Sequence, residues 1–254
     1  MKSKILLIVE GEVEEPRILG SESHGLLALI GADYEIVPFE SSIYELYEAY
    51  KNGEYDNIVS YLSIEKGLKL PDNILSKNAF SAIYLIFDYD PQYQKYSDEK
   101  IRDLLNLFNN ETELGKLYIN YPMVEAYYHL LKLPDEDYYD RKISLEGLTG
   151  KTYKKLVNAT SCLKKNRIGN FQLCHIVMHN YNKCKIIESS YGKAINYEAI
   201  LNKQIELKNE TNEIYVLSTF PLMIIDYNCE KTLQILKLKL KNKFMEIENE
   251  KADD

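Results

Sequence analysis

The 254-residue sequence contains no tryptophan, only four cysteines, and no apolar run approaching the roughly 20 residues a membrane span needs. No transmembrane helix is therefore expected. The first nine residues carry Lys2, Lys4 and a short apolar run, but Glu10, Glu12, Glu14 and Glu15 follow at once with no small-residue cleavage site. The run reads as a buried strand rather than a secretion signal, and the protein is expected in the cytoplasm. Cys162, Cys174, Cys184 and Cys229 show no C-x-x-C spacing, which excludes the usual thiolate zinc site and leaves them as buried apolar residues of a reducing compartment. No G-x-x-x-x-G-K-[ST] stretch is present, so hydrolysis of nucleotides through a P-loop is excluded. No internal repeat or low-complexity linker divides the chain. Among 22 tyrosines, none is set apart by its surroundings as a nucleophile.

A net basic charge is also lacking. The formal charge is −8, which argues against a protein that coats nucleic acid nonspecifically, because phosphate binding needs a basic surface. The distribution says more than the sum. Lys151, Lys154, Lys155, Lys164, Lys165 and Arg167 form a run without an acidic residue, and Lys237, Lys239, Lys241 and Lys243 form a second. Either run is a solvated helix face or a phosphate-binding surface. For the first, Lys151, Lys154, Lys155, Lys164 and Lys165 are the candidate nucleic-acid contacts.

The apolar pattern predicts alternating strands and helices in the first half. Lys4–Val9, Tyr34–Phe39, Ala82–Phe87 and Lys116–Ile119 read as strands, the first a continuous apolar run of the kind buried on both faces. Helices are expected over 14–30, over Tyr44–Leu62 with a break near Gly53, over 98–108 capped by Ser97, and from Pro122 onward. Ser42 with Glu45 has the spacing of a capping box. Strands separated by helices imply an α/β fold with a mainly parallel sheet. Past the acidic stretch Pro134–Asp140 the signals become mainly helical, over Thr152–Leu163, Phe171–Ile187, Tyr197–Leu207 and Thr219–Lys243, with Ile214–Leu217 a late strand. Two regions are expected, residues 1–135 and a mainly helical appendage of residues 136–254.

Two acidic motifs carry the chemistry. In Val9-Glu10-Gly11-Glu12-Val13-Glu14, Glu10 closes a buried strand and Glu14 falls in the first turn of the next helix. Acids near a helix start complement its dipole, which accounts for Glu12, Glu14 and Glu15 but not for a carboxylate at a strand end. In Phe87-Asp88-Tyr89-Asp90-Pro91, a hydrophobic strand ends in D-x-D, and pleating would send both carboxylates to one side. Like charges held that close favour a cation between them, and hard oxygen ligands suit Mg²⁺ or Mn²⁺. Because open α/β sheets place sites at the carboxyl ends of their strands, Glu10 and the Asp88/Asp90 pair should be neighbours. His175 and His179 also stand four apart, but with no acidic partner nearby they read as ordinary packing residues.

The order strand–E-G-x-x-E–helix followed by strand–D-x-D resembles the TOPRIM domain of nucleases, primases and topoisomerases. Asn120-Tyr121-Pro122-Met123-Val124-Glu125 is similar to the N-x-P-x-x-E signature of RloB-like proteins, which group with OLD nucleases and the TOPRIM subunits of PARIS-type antiphage systems. The resemblance covers about Lys4–Leu131 and implies a TOPRIM-like fold and a metal-dependent nuclease acting in antiviral defence. It implies Glu10, Asp88 and Asp90 as catalytic residues and Glu10, Glu14, Asp88, Asp90 and Glu125 as Mg²⁺ or Mn²⁺ ligands. It further implies a nucleic-acid substrate, DNA or RNA such as tRNA, and an ATPase partner of the ABC or SMC-like kind, and it leaves a homodimer open. Val13 departs from relatives that carry a small polar residue there. Two other readings stand beside the nuclease: a noncatalytic TOPRIM-like subunit of an ATPase complex, and a phosphatase that uses the D-x-D aspartate as nucleophile.

Overall fold

A computed structural model of the protein describes residues 4–12, 16, 19, 25–26, 33–53, 57–65, 80–164, 168–189, 194–227 and 232–241. Glu14 and Lys165, expected at the metal site and on the basic surface, lie outside the described residues, as do Arg167, Cys229, Lys243 and most of the helix expected over 14–30.

The protein is α/β, with a mainly parallel sheet flanked by helices. The first five strands are β1 (Lys4–Val9), β2 (Asp33–Pro38), β3 (Phe80–Asp88), β4 (Asn109–Asn110) and β5 (Gly115–Tyr121), arranged β2-β1-β3-β5-β4. β1 pairs parallel with β2 and β3, β3 pairs parallel with β5, and only β4 turns back against β5 at this point. Ile5 to Val9 are fully buried, as a central strand covered on both faces requires. The chain leaves β1 in one direction for β2 and in the other for β3. The order therefore reverses between β1 and β3, the position where open parallel sheets form a crevice at their carboxyl edge.

The helix expected over Tyr44–Leu62 is two helices, α1 (Ile43–Asn52) and α2 (Ile58–Glu65), parted at Gly53, whose backbone is extended at φ −97° and ψ 152°. The capping box at its start is not formed. Ser42 makes no cap hydrogen bond, and Glu45 accepts instead from Lys95 Nζ at 2.7 Å and Tyr93 Oη at 3.1 Å. Ser97 does cap α3 (Asp98–Leu107), accepting the Lys100 N–H. No α-helix starts at Pro122. Its carbonyl accepts the Asp90 N–H at 3.1 Å and Met123 stays extended, so only a 3-10 turn forms, Val124–Tyr128.

The second half contains α4 (Gly150–Thr160), α5 (Asn170–Glu188) and α6 (Tyr197–Thr211), together with a two-stranded ribbon of β6 (Lys142–Ser144) and β7 (Glu213–Tyr215). A further strand, β8 (Leu217–Ser218), joins the main sheet antiparallel to β5, placing Ser218 opposite Asn120. The long helix expected from Thr219 is delayed. The Thr219 hydroxyl accepts the Ile119 N–H at 2.8 Å and its own N–H reaches the Ile119 carbonyl at 3.2 Å, extending the ladder. A 3-10 turn at Phe220–Leu222, α7 (Met223–Tyr227) and a helix at 232–241 follow. The acidic stretch at 134–140 is packed rather than free: Asp135 and Tyr138 are buried, the former against Arg141 at 2.9 Å. Among the described residues, no helix is long and apolar enough to cross a membrane.

His129, His175 and His179 are buried beside this stretch. His179 accepts the Asp135 N–H at Nε2 (2.9 Å) and its Nδ1 lies 2.7 Å from the His175 carbonyl, so both ring nitrogens serve the core rather than a metal. Burial pushes His129 and His175 down to about 4 and lowers His179 as well. Below the ordinary histidine value of about 6.5, the unfolded chain binds protons that the folded rings refuse, so stability is lost as pH falls toward 4. The loss should reach about 1.4 kcal/mol per pH unit for each such ring. Urea midpoints measured from pH 7 to 4 should fall steadily through this window, and a flat profile would show that the rings protonate freely in the folded state.

Candidate acidic site at the carboxyl edge of the sheet

Glu10 is the first residue past β1. Its N–H donates to the Ile86 carbonyl at 3.1 Å and its carbonyl accepts the Glu40 N–H at 3.0 Å, which fixes its backbone between β3 and the end of β2. Its carboxylate then accepts the Asp88 N–H at 2.9 Å. Two motifs separated by 78 residues thus meet directly at the β1/β3 reversal. Asp88 is the last residue of β3, nine-tenths buried, and its Oδ1 accepts from Asn120 Nδ2 at 3.1 Å.

Asp90 arrives differently from the pleating expectation. It lies beyond β3 with φ 34°, a left-handed conformation that aspartate tolerates better than most residues, so a turn and not strand alternation sets its direction. Its N–H is held by Pro122 and that of Tyr89 by the Asn120 carbonyl at 2.9 Å, docking the D-x-D turn onto the end of β5. Burial raises the Asp90 carboxyl, partly offset by a backbone hydrogen bond from Gln92. A half-buried carboxylate made costly in this way favours a nearby cation. Glu40, exposed at φ 58° beside Glu10, is a further acid on this edge that pattern reading does not reveal, because a lone glutamate after a strand has no motif.

Behind the edge lies a tyrosine layer. Tyr44 donates to the Tyr89 carbonyl and stacks on Tyr93 with ring centres 5.5 Å apart. The Tyr89 hydroxyl meets Tyr96 at 2.6 Å and Asp98 at 2.7 Å. Burial first, and then the charges of Tyr96, Asp90, Asp98 and Glu10, drive the Tyr44 phenol far above its ordinary range. Tyr89 and Tyr96 are raised likewise, chiefly by burial. These phenols are therefore neutral donors that brace the D-x-D turn, which opposes a role as phenolate nucleophiles.

Glu125 is buried in the 3-10 turn, and its carboxylate pairs with Lys154 Nζ of α4 at 3.3 Å. Lys154, expected on a phosphate surface, is thus engaged by Glu125, while Lys151, Lys155 and Lys164 are exposed and Lys164 reaches the Asn158 carbonyl. The start of α4 is near the acidic edge: Thr149 and Gly150 line one cleft with Asp90, Pro91, Pro122 and Met123. Gly150 suits this closeness, since a Cβ there would come within 2.8 Å of the Met123 methyl.

Among the described residues, no group of three or more His, Cys, Asp or Glu side chains closes around a single point. Glu10, Asp88 and Asp90 make an open edge of hard oxygens. Such an edge fits Mg²⁺ or Mn²⁺ chemically, since Mg²⁺ retains several waters and commonly takes only one or two carboxylates, and it does not fit zinc. Fold and site together define an α/β protein with an acidic edge at the reversal point of a parallel sheet. No protein-family model, no curated protein and no solved structure matches the chain.

Proposed function

We propose that the protein is a metal-dependent nuclease of the TOPRIM type, similar to RloB and OLD proteins, that cleaves phosphodiester bonds. The observation that carries this reading is the hydrogen bond from the Asp88 N–H to the Glu10 carboxylate, which brings Glu10 of the E-G-x-x-E motif against Asp88 of the D-x-D motif at the sheet's reversal point. Glu10, Asp88 and Asp90 would hold the cation, with Glu14 added on the strength of the motif. When bound, such a cation supplies a polarised water and a counter-charge for the leaving oxygen. Asp88 and Glu10 orient the edge, and the neutral tyrosines behind it keep the turn in place. The α4 lysines Lys151 and Lys155 lie on the helix that starts beside Asp90 and would take flanking phosphates.

A noncatalytic subunit is the second reading, and the open, unclosed arrangement of the described carboxylates favours it. A cleavage assay on tRNA, single-stranded DNA and duplex DNA, with Mg²⁺ or Mn²⁺ and with chelator, separates the two. The nuclease reading expects metal-dependent products that vanish with chelator, and their absence on every substrate would support the noncatalytic one. In the same assay Lys151→Gln with Lys155→Gln should weaken binding. On duplex DNA it should shallow the log–log salt dependence by about 2, as two lost phosphate contacts require. An unchanged slope would leave these lysines as a solvated helix face.

A further inference from the structure

A chain of buried hydrogen bonds runs away from the acidic edge into the helical half. Asn120 Nδ2 donates to Asp88 Oδ1 at 3.1 Å, and the Ser218 hydroxyl donates to Asn120 Oδ1 at 2.6 Å. The Ser218 N–H donates to Asn180 Oδ1 at 2.9 Å, which also accepts the Tyr138 hydroxyl at 2.7 Å, while Asn180 Nδ2 is tied to the Ile176 carbonyl at 2.9 Å. Asn120, Ser218, Asn180 and Tyr138 are all 0% exposed. Every link has a defined direction. An ionised Asp88 can only accept, so Asn120 must turn its NH₂ toward it, and this leaves the amide oxygen facing Ser218. The Ser218 hydroxyl donates to that oxygen and so anchors the amide in the orientation that Asp88 dictates. With the amide turned over, its oxygen would face the carboxylate, two acceptors with no proton between them in a place water does not reach.

We infer that Asn120 and Ser218 are positioning residues for the acidic site: Ser218, supplied by the helical half of the chain, anchors the Asn120 amide, and the anchored amide holds the direction of the Asp88 carboxylate toward a divalent cation. The inference rests on the cation-binding reading proposed above. It means that the acidic edge is completed from both halves of the sequence, since β8 brings Ser218 opposite Asn120 from 98 residues away. Loss of a group that orients a metal-binding side chain from behind typically costs about 10- to 100-fold in metal affinity.

The test is Mn²⁺ titration of the full chain by calorimetry, with thermal melting of each variant measured in parallel. Wild type should bind Mn²⁺ and Asp88→Asn should lose that binding. Ser218→Ala removes the orienting hydroxyl with little change in volume and should weaken Mn²⁺ binding by about tenfold or more. Ser218→Cys keeps the size but offers only a weak donor; it should also weaken binding and serves if the alanine variant does not fold. A purely structural role would lower the melting temperature and leave the dissociation constant of the folded protein untouched. Wild-type affinity in a folded Ser218→Ala or Ser218→Cys protein, alongside an Asp88-dependent wild type, overturns this inference alone. If wild type and Asp88→Asn titrate alike, the cation-binding reading fails, and the inference falls with it.

Discussion

Asp88→Asn should reduce metal-dependent cleavage by about a thousandfold, the equivalent of about 4 kcal/mol of transition-state stabilisation. The substitution keeps the shape of the side chain and removes one negative charge from the edge. Its effect on folding should be small. The backbone N–H at position 88 still reaches the Glu10 carboxylate, and an amide oxygen can still accept from Asn120 Nδ2. Crowding of carboxylates also falls, which favours the metal-free protein. Product formation measured beside circular dichroism and a melting curve separates loss of chemistry from loss of structure. A folded Asp88→Asn protein that cuts at the wild-type rate would end the nuclease reading. A noncatalytic subunit would instead keep its cellular effect and its complexes through the same change.

Arg141→Met should lower stability by about 3–5 kcal/mol, because it leaves a buried carboxylate without its cation. Arg141 Nη1 donates to Asp135 Oδ2 at 2.9 Å and to the His129 carbonyl at 2.8 Å, and Asp135 also accepts the Leu131 N–H at 2.7 Å. Burial pulls the Asp135 carboxyl upward, but hydrogen bonds and charge from Arg141 and the Leu131 N–H outweigh it, and the net direction is downward. Stability from this group is therefore present above the unfolded carboxyl value of about 3.9 and is lost as pH falls through the lower folded value. At about 2–4 °C per kcal/mol for a chain of this size, the melting temperature should drop by roughly 10 °C. Adding Asp135→Asn, which keeps an acceptor for Leu131 without the charge, should recover much of the loss. The deficit of Arg141→Met should also shrink on acidification, as Asp135 takes up a proton. A double variant no better than the single one would point to lost packing rather than an uncompensated charge.

Much of the framework was readable from local pattern. Ile5–Val9 and Ala82–Phe87 are apolar runs because strands covered on both faces have no side that faces water, and both lie within observed strands, as does Lys116–Ile119. Ser97 could be read as a cap because its partner is three residues away. The pairing of Ser42 with Glu45 has the same spacing and failed, since Lys95 and Tyr93 compete for Glu45 from about 50 residues away. Thr219 misled in the same manner: it follows β8, and its hydroxyl is claimed by Ile119 across the sheet.

By itself the sequence determined that Glu10 and Asp88 end buried strands, that the sheet is mainly parallel, and that basic and acidic residues gather in separate segments. These depend on burial period and on composition, which neighbouring residues carry. The sequence also made Glu10 and the Asp88/Asp90 pair expected neighbours, but only the tertiary structure decided that they meet through the Asp88 N–H and the Glu10 carboxylate, and that Asp90 is aimed by a left-handed turn. It also decided that Glu125 pairs with Lys154, and that Ser218 stands opposite Asn120. A buried polar group takes whichever partner the packed core brings within hydrogen-bonding distance, and a partner 98 residues away leaves no local period to read.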